Sequence, residues 1–388
     1  MKKIDLVFFD AGGGHRAAAT ALTQVISQQQ RPWDVRMINL QELLDPLDIF
    51  RKFTGLRLQD VYNLMLRKGW TLGSPQLTRV MHVIIATYHR PVVRHLEKFW
   101  RTGERDLVVS VVPNFNRALF DSLRRVEPRT PFATILTDLA DYPPHFWMER
   151  PPPGAGVRSQ HLICGTERAV GQAREMGHDT THIFRTSGMI LSPKFYEPLV
   201  HDRAAERRKL GLDPDLPTGL VLFGGHGSRV MLDLARRLDT SGLKVQLILI
   251  CGRSELLATG LCSMPHRIPM YVEGFTKEIP YYMSLADFFI GKPGPGSISE
   301  ALAMKLPVLV ERNNWTLPQE RYNADWVTEK QVGIVLGSFR YVVQAVAELL
   351  SPENFRRFRA SAEALQNRAV FEIPDILEKI LETCEKSS

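Results

Sequence analysis

The sequence predicts an α/β protein built from two Rossmann-like domains that face one another across a cleft. Three observations predict it. Short apolar runs recur along the chain, most followed by polar or Pro/Gly punctuation and then a helical pattern, the rhythm of an open parallel sheet with helices on both faces. The rhythm breaks and restarts around residues 191–217, where Pro193 and Pro198 precede a charged stretch and Pro214 and Pro217 open the next strand. The length, 388 residues, suits two domains of about 150–200 residues each. The domains are placed at 1–195 and 196–388, the final helix being able to pack back on the first.

Residues 4–9 form the first strand, apolar apart from Asp5, as buried parallel strands are. Glycines follow, then a helix with Ala18, Leu22, Val25 and Ile26 on one face. Further strands are expected at 35–40, 107–112, 131–137 and 161–164. The second half repeats the pattern, with strands at 220–223, 245–250, 270–272, 287–290 and 307–310. Between them lie helical patterns at Met231, Leu234, Ala235 and Leu238, and at Ile298, Ala301 and Leu302. Ligands are expected at the carboxyl ends of both sets of strands.

Residues 44–100 break the rhythm and read as largely helical, with no clear strand. Leu58, Val61, Tyr62, Met65 and Leu66 share one helical face, bordered by Arg51, Lys52, Arg57, Arg67 and Lys68. With Phe50, Phe53 and Trp70 nearby, residues 48–70 read equally as a core helix or as one lying on an anionic membrane surface. Leu77, Val80, Met81, Ile84, Ile85 and Tyr88 make a second face, read as core.

The bulk numbers exclude several classes. The N-terminal apolar run 6–9 is far too short for a signal peptide's h-region, and no stretch of about eighteen apolar residues spans a membrane. The four cysteines are scattered without zinc spacing, which fits a reduced, cytoplasmic compartment with free buried thiols. A net charge of +7 and a pI near 9.2 favour polyanions such as acidic lipid or phosphorylated ligands. No basic–aromatic nucleic-acid motif accompanies the charge, so no nucleic-acid partner is expected.

Three glycine-rich strand ends carry the chemistry. In the first, Gly12, Gly13 and Gly14 lead from the first strand into a helix that begins with His15. The glycines let the backbone fold tightly and approach a ligand, and the helix start offers N–H groups to an anion or hydroxyl. His15 at a cleft mouth is a candidate general base; the alternative is a structural histidine capping the helix. Asp138, after a strand, is the alternative base or the orienter of His15. The second turn is Phe223, Gly224, Gly225, His226, Gly227 and Ser228, in a register resembling the first. The third begins at Gly274 and Phe275 and continues through Lys292, Pro293, Gly294, Pro295, Gly296 and Ser297 to Glu300, closing with Gln319 and Glu320. Its helix start can hold a diphosphate by backbone N–H groups and dipole, with Lys292 adding a point charge. Glu300, one turn into the helix, can accept two ribose hydroxyls, and Gln319 and Glu320 offer partners for sugar hydroxyls. Neither the Walker pattern nor the dinucleotide fingerprint is present.

The block GFTKEIPYYMSLADFFIGKPGPGSISEALAMKLPVLV, followed by PQERYN, resembles the nucleotide-sugar half of the monogalactosyldiacylglycerol synthases. Their relatives are processive diacylglycerol glycosyltransferases and, more distantly, the N-acetylglucosaminyltransferase of peptidoglycan lipid synthesis. AGGGHRAAATAL resembles their acceptor motif, and DVYNLMLRKGW, DLVVSVVP, FATILTDL and CGTERAVGQAREMGHDTTHIFRTSGMILSPKF are similar to further segments in the same order, to about residue 340. The resemblance implies the GT-B glycosyltransferase fold, a UDP-sugar donor, a membrane lipid acceptor and an inverting transfer. His15 resembles the base, Gly274 and Phe275 the uracil-contacting turn, Glu300 the ribose ligand, and Gln319 and Glu320 the donor-sugar contacts.

Departures fall at Asn114, Phe115 and Asn116, at residues 140–147, and at Lys292 with Pro293, so the hexose and the lipid stay open. The expected enzyme needs no cofactor and no metal. The Asp-x-Asp spacing of Asp213 and Asp215 sits in a proline-rich turn and reads as a turn. An N-acetylglucosaminyltransferase acting on a polyprenyl lipid, a non-hydrolysing sugar-nucleotide epimerase and a catalytically silent binding protein are the alternatives. The expected location is cytoplasmic, peripheral to the cytoplasmic membrane.

Overall fold

A computed structural model of the chain describes residues 1–10, 13–47, 74–142, 146–151 and 160–386, with side chains of the helix Ser74–Trp100 described from Thr87 onward. The helix at 48–70, read equally as core or as membrane surface, lies outside the described residues, as does Gly12. The chain divides into two compact units, Met1–Pro193 with Arg368–Ser388, and Lys194–Asn367. Each unit carries one six-stranded sheet in which every pairing is parallel. The α/β class expected of both halves is therefore observed.

In the first unit the strands β1 (Lys2–Phe8), β2 (Trp33–Asn39), β3 (Leu107–Ser110), β4 (Phe132–Ile135), β5 (His161–Cys164) and β6 (Ile183–Arg185) take the order β2-β1-β3-β4-β5-β6. Two helices matter for the site. α1 (Gly14–Gln28) buries Leu22, Val25 and Ile26 as its spacing predicts. The last helix, Ala369–Lys386, brings Ile373, Leu377 and Ile380 into the same hydrophobic cluster as Leu22 and Ile26. Asp5, the polar interruption of β1, is buried because two guanidinium groups meet it: Arg36 at 2.7–2.8 Å and Arg105 at 3.0 Å. Pairing is what makes a carboxylate tolerable inside a strand.

In the second unit β7 (Thr218–Leu222), β8 (Gln246–Ile250), β9 (Met270–Glu273), β10 (Phe288–Gly291), β11 (Val308–Glu311) and β12 (Gly333–Leu336) take the order β12-β11-β10-β7-β8-β9. This is the doubly wound arrangement of dinucleotide-binding folds. Two strands escape sequence reading. β6 has three residues, none fully buried, and β12 is an edge strand with only Leu336 buried, so neither shows a continuous apolar run. The free thiols Cys164 and Cys251 are buried, but Cys262, in the last turn of a helix, is exposed. No helix among the described residues is long and apolar enough to cross a membrane.

Candidate functional site

A parallel sheet opens a crevice where its strand order reverses, because the two flanking crossovers lie on opposite faces. In the first unit the reversal falls between β1 and β3, and in the second between β7 and β10. The glycine turns follow three of these four strands.

After β1 the chain enters α1 through Gly13, whose φ of +84° is a left-handed conformation that favours glycine. His15, in the first turn of α1, directs its ring toward the ends of β3 and β4. Its Nδ1 lies 3.1 Å from the Thr137 hydroxyl. Half-buried by area, the imidazole sits under a dense layer of protein. Desolvation lowers its pKa to about 4, a hydrogen bond with the Val111 backbone opposing the shift only partly. Asp10 and Arg16 form an ion pair of 2.8 Å around the same helix start.

Trp147 organises the rest of this end. Its ring centroid stands 5.8 Å from that of His15, and its indole N–H donates to Asp138 Oδ2 at 2.7 Å. Its backbone is held from both sides: its N–H donates to Asp141 at 2.7 Å, and its carbonyl accepts from Asn116 at 2.9 Å. Asn116 in turn accepts from Ser110 at 2.7 Å. One Asp138 oxygen is thus engaged by an indole, while the side chain found on His15 Nδ1 is Thr137. Neither Thr137 nor Trp147 was a candidate from sequence. A threonine after a strand and a tryptophan in a proline-rich loop carry no local signal of the ring they will meet.

In the second unit the turn after β7 uses left-handed Gly224 (φ +77°) and Gly227 (φ +63°). A Cβ on Gly227 would stand 2.6 Å from the Cys251 carbonyl, so no other residue fits there. Gly225 accepts the Arg253 N–H at 2.9 Å, and the Ser228 hydroxyl accepts from Val230 at 3.3 Å, at the start of helix Val230–Asp239. Across the reversal, β10 runs into Lys292, Pro293 and Gly294 and then helix Pro295–Ala303, with Pro295 in the first turn, where a missing N–H costs nothing. The two turns meet: Lys292 Cε lies 3.8 Å from the Cβ position of Gly224 and 3.5 Å from that of Gly294. By position, Gly296 and Ser297 present first-turn N–H groups that no helix carbonyl can satisfy.

Glu300 of this helix is half-buried, and desolvation alone raises its carboxyl pKa to about 7. Gln319 and Glu320 lie in a short turn, Pro318–Glu320, preceding helix Arg321–Glu329. Gln319 is half-buried, whereas the buried Glu320 carboxylate accepts from Lys292 Nζ at 2.9 Å. Asn323, fully buried, donates to the Pro293 carbonyl at 2.8 Å. The Gly274 N–H closes on Glu273 at 2.8 Å, and Glu273 is itself held below the usual carboxylate range, chiefly by the Tyr282 hydroxyl. Phe275 stays 52% exposed, with the Arg253 guanidinium 4.8 Å from its ring centroid. The second sheet therefore brings together Gly224, Lys292, Gly294 and Glu320, while Phe275 pairs with Arg253 from the end of β8. Arg253 was not singled out from sequence, and Asn323 stood in the closing PQERYN motif without a role.

Asp213 and Asp215 precede β7, at the opposite end of that strand from Gly224. Asp213 accepts the Asp215 N–H at 2.8 Å, a turn as expected. Among the described residues no group of three His, Cys, Asp or Glu side chains is arranged to hold a metal.

Residues 220–379 match the Glycosyltransferase family 28 C-terminal domain. Over 402 residues the chain is 27% identical to the probable monogalactosyldiacylglycerol synthase 2, chloroplastic, of Oryza sativa subsp. japonica, spanning 98% of this chain and 81% of that protein. Two solved structures are similar in fold. MurG of Acinetobacter baumannii has a TM-score of 0.60 at 14% identity, covering 98% of this chain and 100% of its own. A co-structure of S. aureus MnaA with UDP has a TM-score of 0.62 at 15% identity, covering 98% and 97%.

Proposed function

We propose that this sugar transferase, a GT-B protein whose residues 220–379 match a family 28 C-terminal domain, moves a hexose from a UDP-sugar to diacylglycerol or a related membrane lipid. The observation that carries the reading is the meeting of the Gly224 turn, Lys292 and the Gly294 helix start at one strand-order reversal. That arrangement suits a diphosphate, and the name of the rice relative supplies the lipid class. The first unit takes the acceptor, beside Gly13, Gly14 and His15, and the second takes the donor.

In the tautomer that donates from Nδ1 to Thr137, His15 keeps its Nε2 lone pair for an acceptor hydroxyl. Loss of that proton lets the oxygen attack the anomeric carbon from the face opposite UDP, which inverts it. The bond to UDP breaks and the diphosphate gains negative charge. The N–H groups of Gly296 and Ser297 and the Lys292 ammonium then stabilise the charge more in the transition state than before it. With those donors assigned to the diphosphate, no divalent cation is assigned to it; Asp213 and Asp215 lie before β7, at the other end of that strand. Glu300 takes the ribose, Gly274 and Phe275 the uracil, and Gln319 the hexose.

The reading is tested by a panel of UDP-galactose, UDP-glucose and UDP-N-acetylglucosamine against diacylglycerol, glycosyl-diacylglycerol and polyprenyl-diphosphate lipids. The expected result is UDP release from a UDP-hexose only when a diacylglycerol acceptor is present. Release without any lipid, or epimerised donor as the sole product, overturns it.

A lipid acceptor leaves a bilayer at a cost of about 0.8 kcal/mol per exposed CH₂, so an enzyme acting on it must reach the membrane surface. The docking set read from the sequence consists of Phe50, Phe53 and Trp70 with Arg51, Lys52, Arg57, Arg67 and Lys68. Each basic residue contributes about 1 kcal/mol on anionic lipid. Serine at the three aromatic positions is expected to lower sedimentation with any vesicle. Glutamine at the five basic ones lowers it only with anionic vesicles at low salt. Unchanged sedimentation in both cases assigns docking elsewhere.

A further inference from the structure

The buried Glu320 carboxylate makes its ion pair with Lys292, which lies 28 residues earlier in the chain. The pair stands directly over the helix start. The Cβ position of Gly294 is 3.5 Å from Lys292 Cε and 3.8 Å from Glu320 Oε1, so glycine leaves the space the pair fills. A second tie lies beside it, from Asn323 to the Pro293 carbonyl at 2.8 Å. The turn Pro318–Glu320 and helix Arg321–Glu329 are thus strapped to residues 292–294 at two points. The exposures of the two partners differ: the Lys292 side chain is 44% exposed and that of Glu320 is 11% exposed. The ammonium is thus the partner open to solvent, beside the Gly224 turn, and the carboxylate that holds it is covered.

We infer that Glu320 is a positioning residue that works through Lys292, holding the ammonium for a nucleoside diphosphate, instead of a direct ligand of the donor sugar. The inference rests on the placement of the donor proposed above. An ammonium shared with a carboxylate is a weaker partner for ground-state diphosphate, yet it is fixed where charge builds up on the leaving group. Holding it back from the ground state and in place for the transition state is how a binding group raises turnover.

The test is calorimetry of the full chain with UDP, alongside steady-state kinetics, for Glu320→Gln, Lys292→Met, the double variant and Glu300→Ala. Glu320→Gln keeps the shape and is expected to tighten UDP about two- to fivefold, the range for one partly exposed ion pair. Turnover falls about tenfold with no rise in KM for the UDP-hexose, the pattern of a lost transition-state interaction. In the Lys292→Met background the Glu320 substitution has no further effect on UDP, a non-additivity that general loosening of the fold does not produce. An unchanged UDP affinity in Glu320→Gln with a raised KM for UDP-hexose makes Glu320 a direct sugar ligand and overturns the inference. An undiminished effect without Lys292 overturns it too. Normal UDP binding by both Glu300→Ala and Lys292→Met sinks the donor placement itself, whereas weakened binding by Glu300→Ala beside a silent Glu320→Gln sinks this inference alone. Should Glu320→Gln fail to fold, Glu320→Asp, which keeps the charge and shortens the reach, carries the same readouts.

Discussion

Replacing His15 by alanine is expected to lower turnover by about 10²–10⁴-fold, the contribution of a positioned general base, while UDP affinity stays as in the unaltered chain. The split follows from the fold: His15 belongs to the first sheet's crevice, and the residues assigned to the diphosphate belong to the second unit. The pH profile adds an independent readout. Desolvation holds the imidazole to about pKa 4 against an ordinary 6.5. The ring is therefore neutral and able to accept a proton across the neutral range, and the acid limb assigned to it lies near pH 4. The linked stability term has the sign of a depressed base: present above pH 6.5, it is lost as the pH falls toward 4, because the unfolded chain takes up the proton first. His15→Ala removes that term, so the melting temperature of the variant depends less on pH between 6.5 and 4. Near-normal turnover in His15→Ala would move the base to Asp138.

That same crevice shows what a sequence can and cannot disclose. The strand–glycine–helix pattern placed His15 at a carboxyl strand end because the pattern is local: an apolar run, glycines and a 3.6-residue periodicity occupy adjacent positions. The switch-point position of that end depends on strand order, which pairing between distant segments decides. Trp147 is the clearest residue hidden for this reason. Its four anchors, His15, Asn116, Asp138 and Asp141, come from three separate stretches of chain, and none lies at a spacing that announces the others. In the second unit the glycine turns and the segment 292–300 were legible as strand-to-helix turns, which is where the structure has them. The Lys292–Glu320 pair was not, because it closes between two motifs that each read as a ligand site on its own. Edge strands such as β12 fail for a related reason: half their side chains meet solvent, so burial leaves no continuous apolar run.

The second large effect is expected at Glu300. Its alanine variant should lose about 1.5–3 kcal/mol of UDP binding, the range for hydrogen bonds to a charged acceptor, or between about ten- and a hundredfold in affinity. The environment of Glu300 adds a pH signature. Desolvation, with no compensating donor, raises the Glu300 carboxyl to about pKa 7. Two ribose hydroxyls donating to the carboxylate favour its ionised form, so binding pulls the pKa back down and expels a proton. UDP affinity should therefore climb as the pH rises toward 7 and level off above it. Calorimetry in buffers of different ionisation enthalpy should detect a proton released on binding below pH 7. The terminal phosphate of UDP titrates at about 6 as well, so the Glu300-specific part is the difference between the unaltered chain and Glu300→Gln. Folding of the chain without added UDP carries the opposite face of the same linkage. A carboxyl raised in the folded state stabilises fully below its ordinary pKa of 4.5, and that stabilisation is lost as the pH rises through about 7. Melting temperature should fall over that interval in the unaltered chain, less so in Glu300→Gln, and least in the unaltered chain saturated with UDP. Equal proton release by Glu300→Gln, together with unchanged UDP affinity in Glu300→Ala, would place the ribose away from this helix.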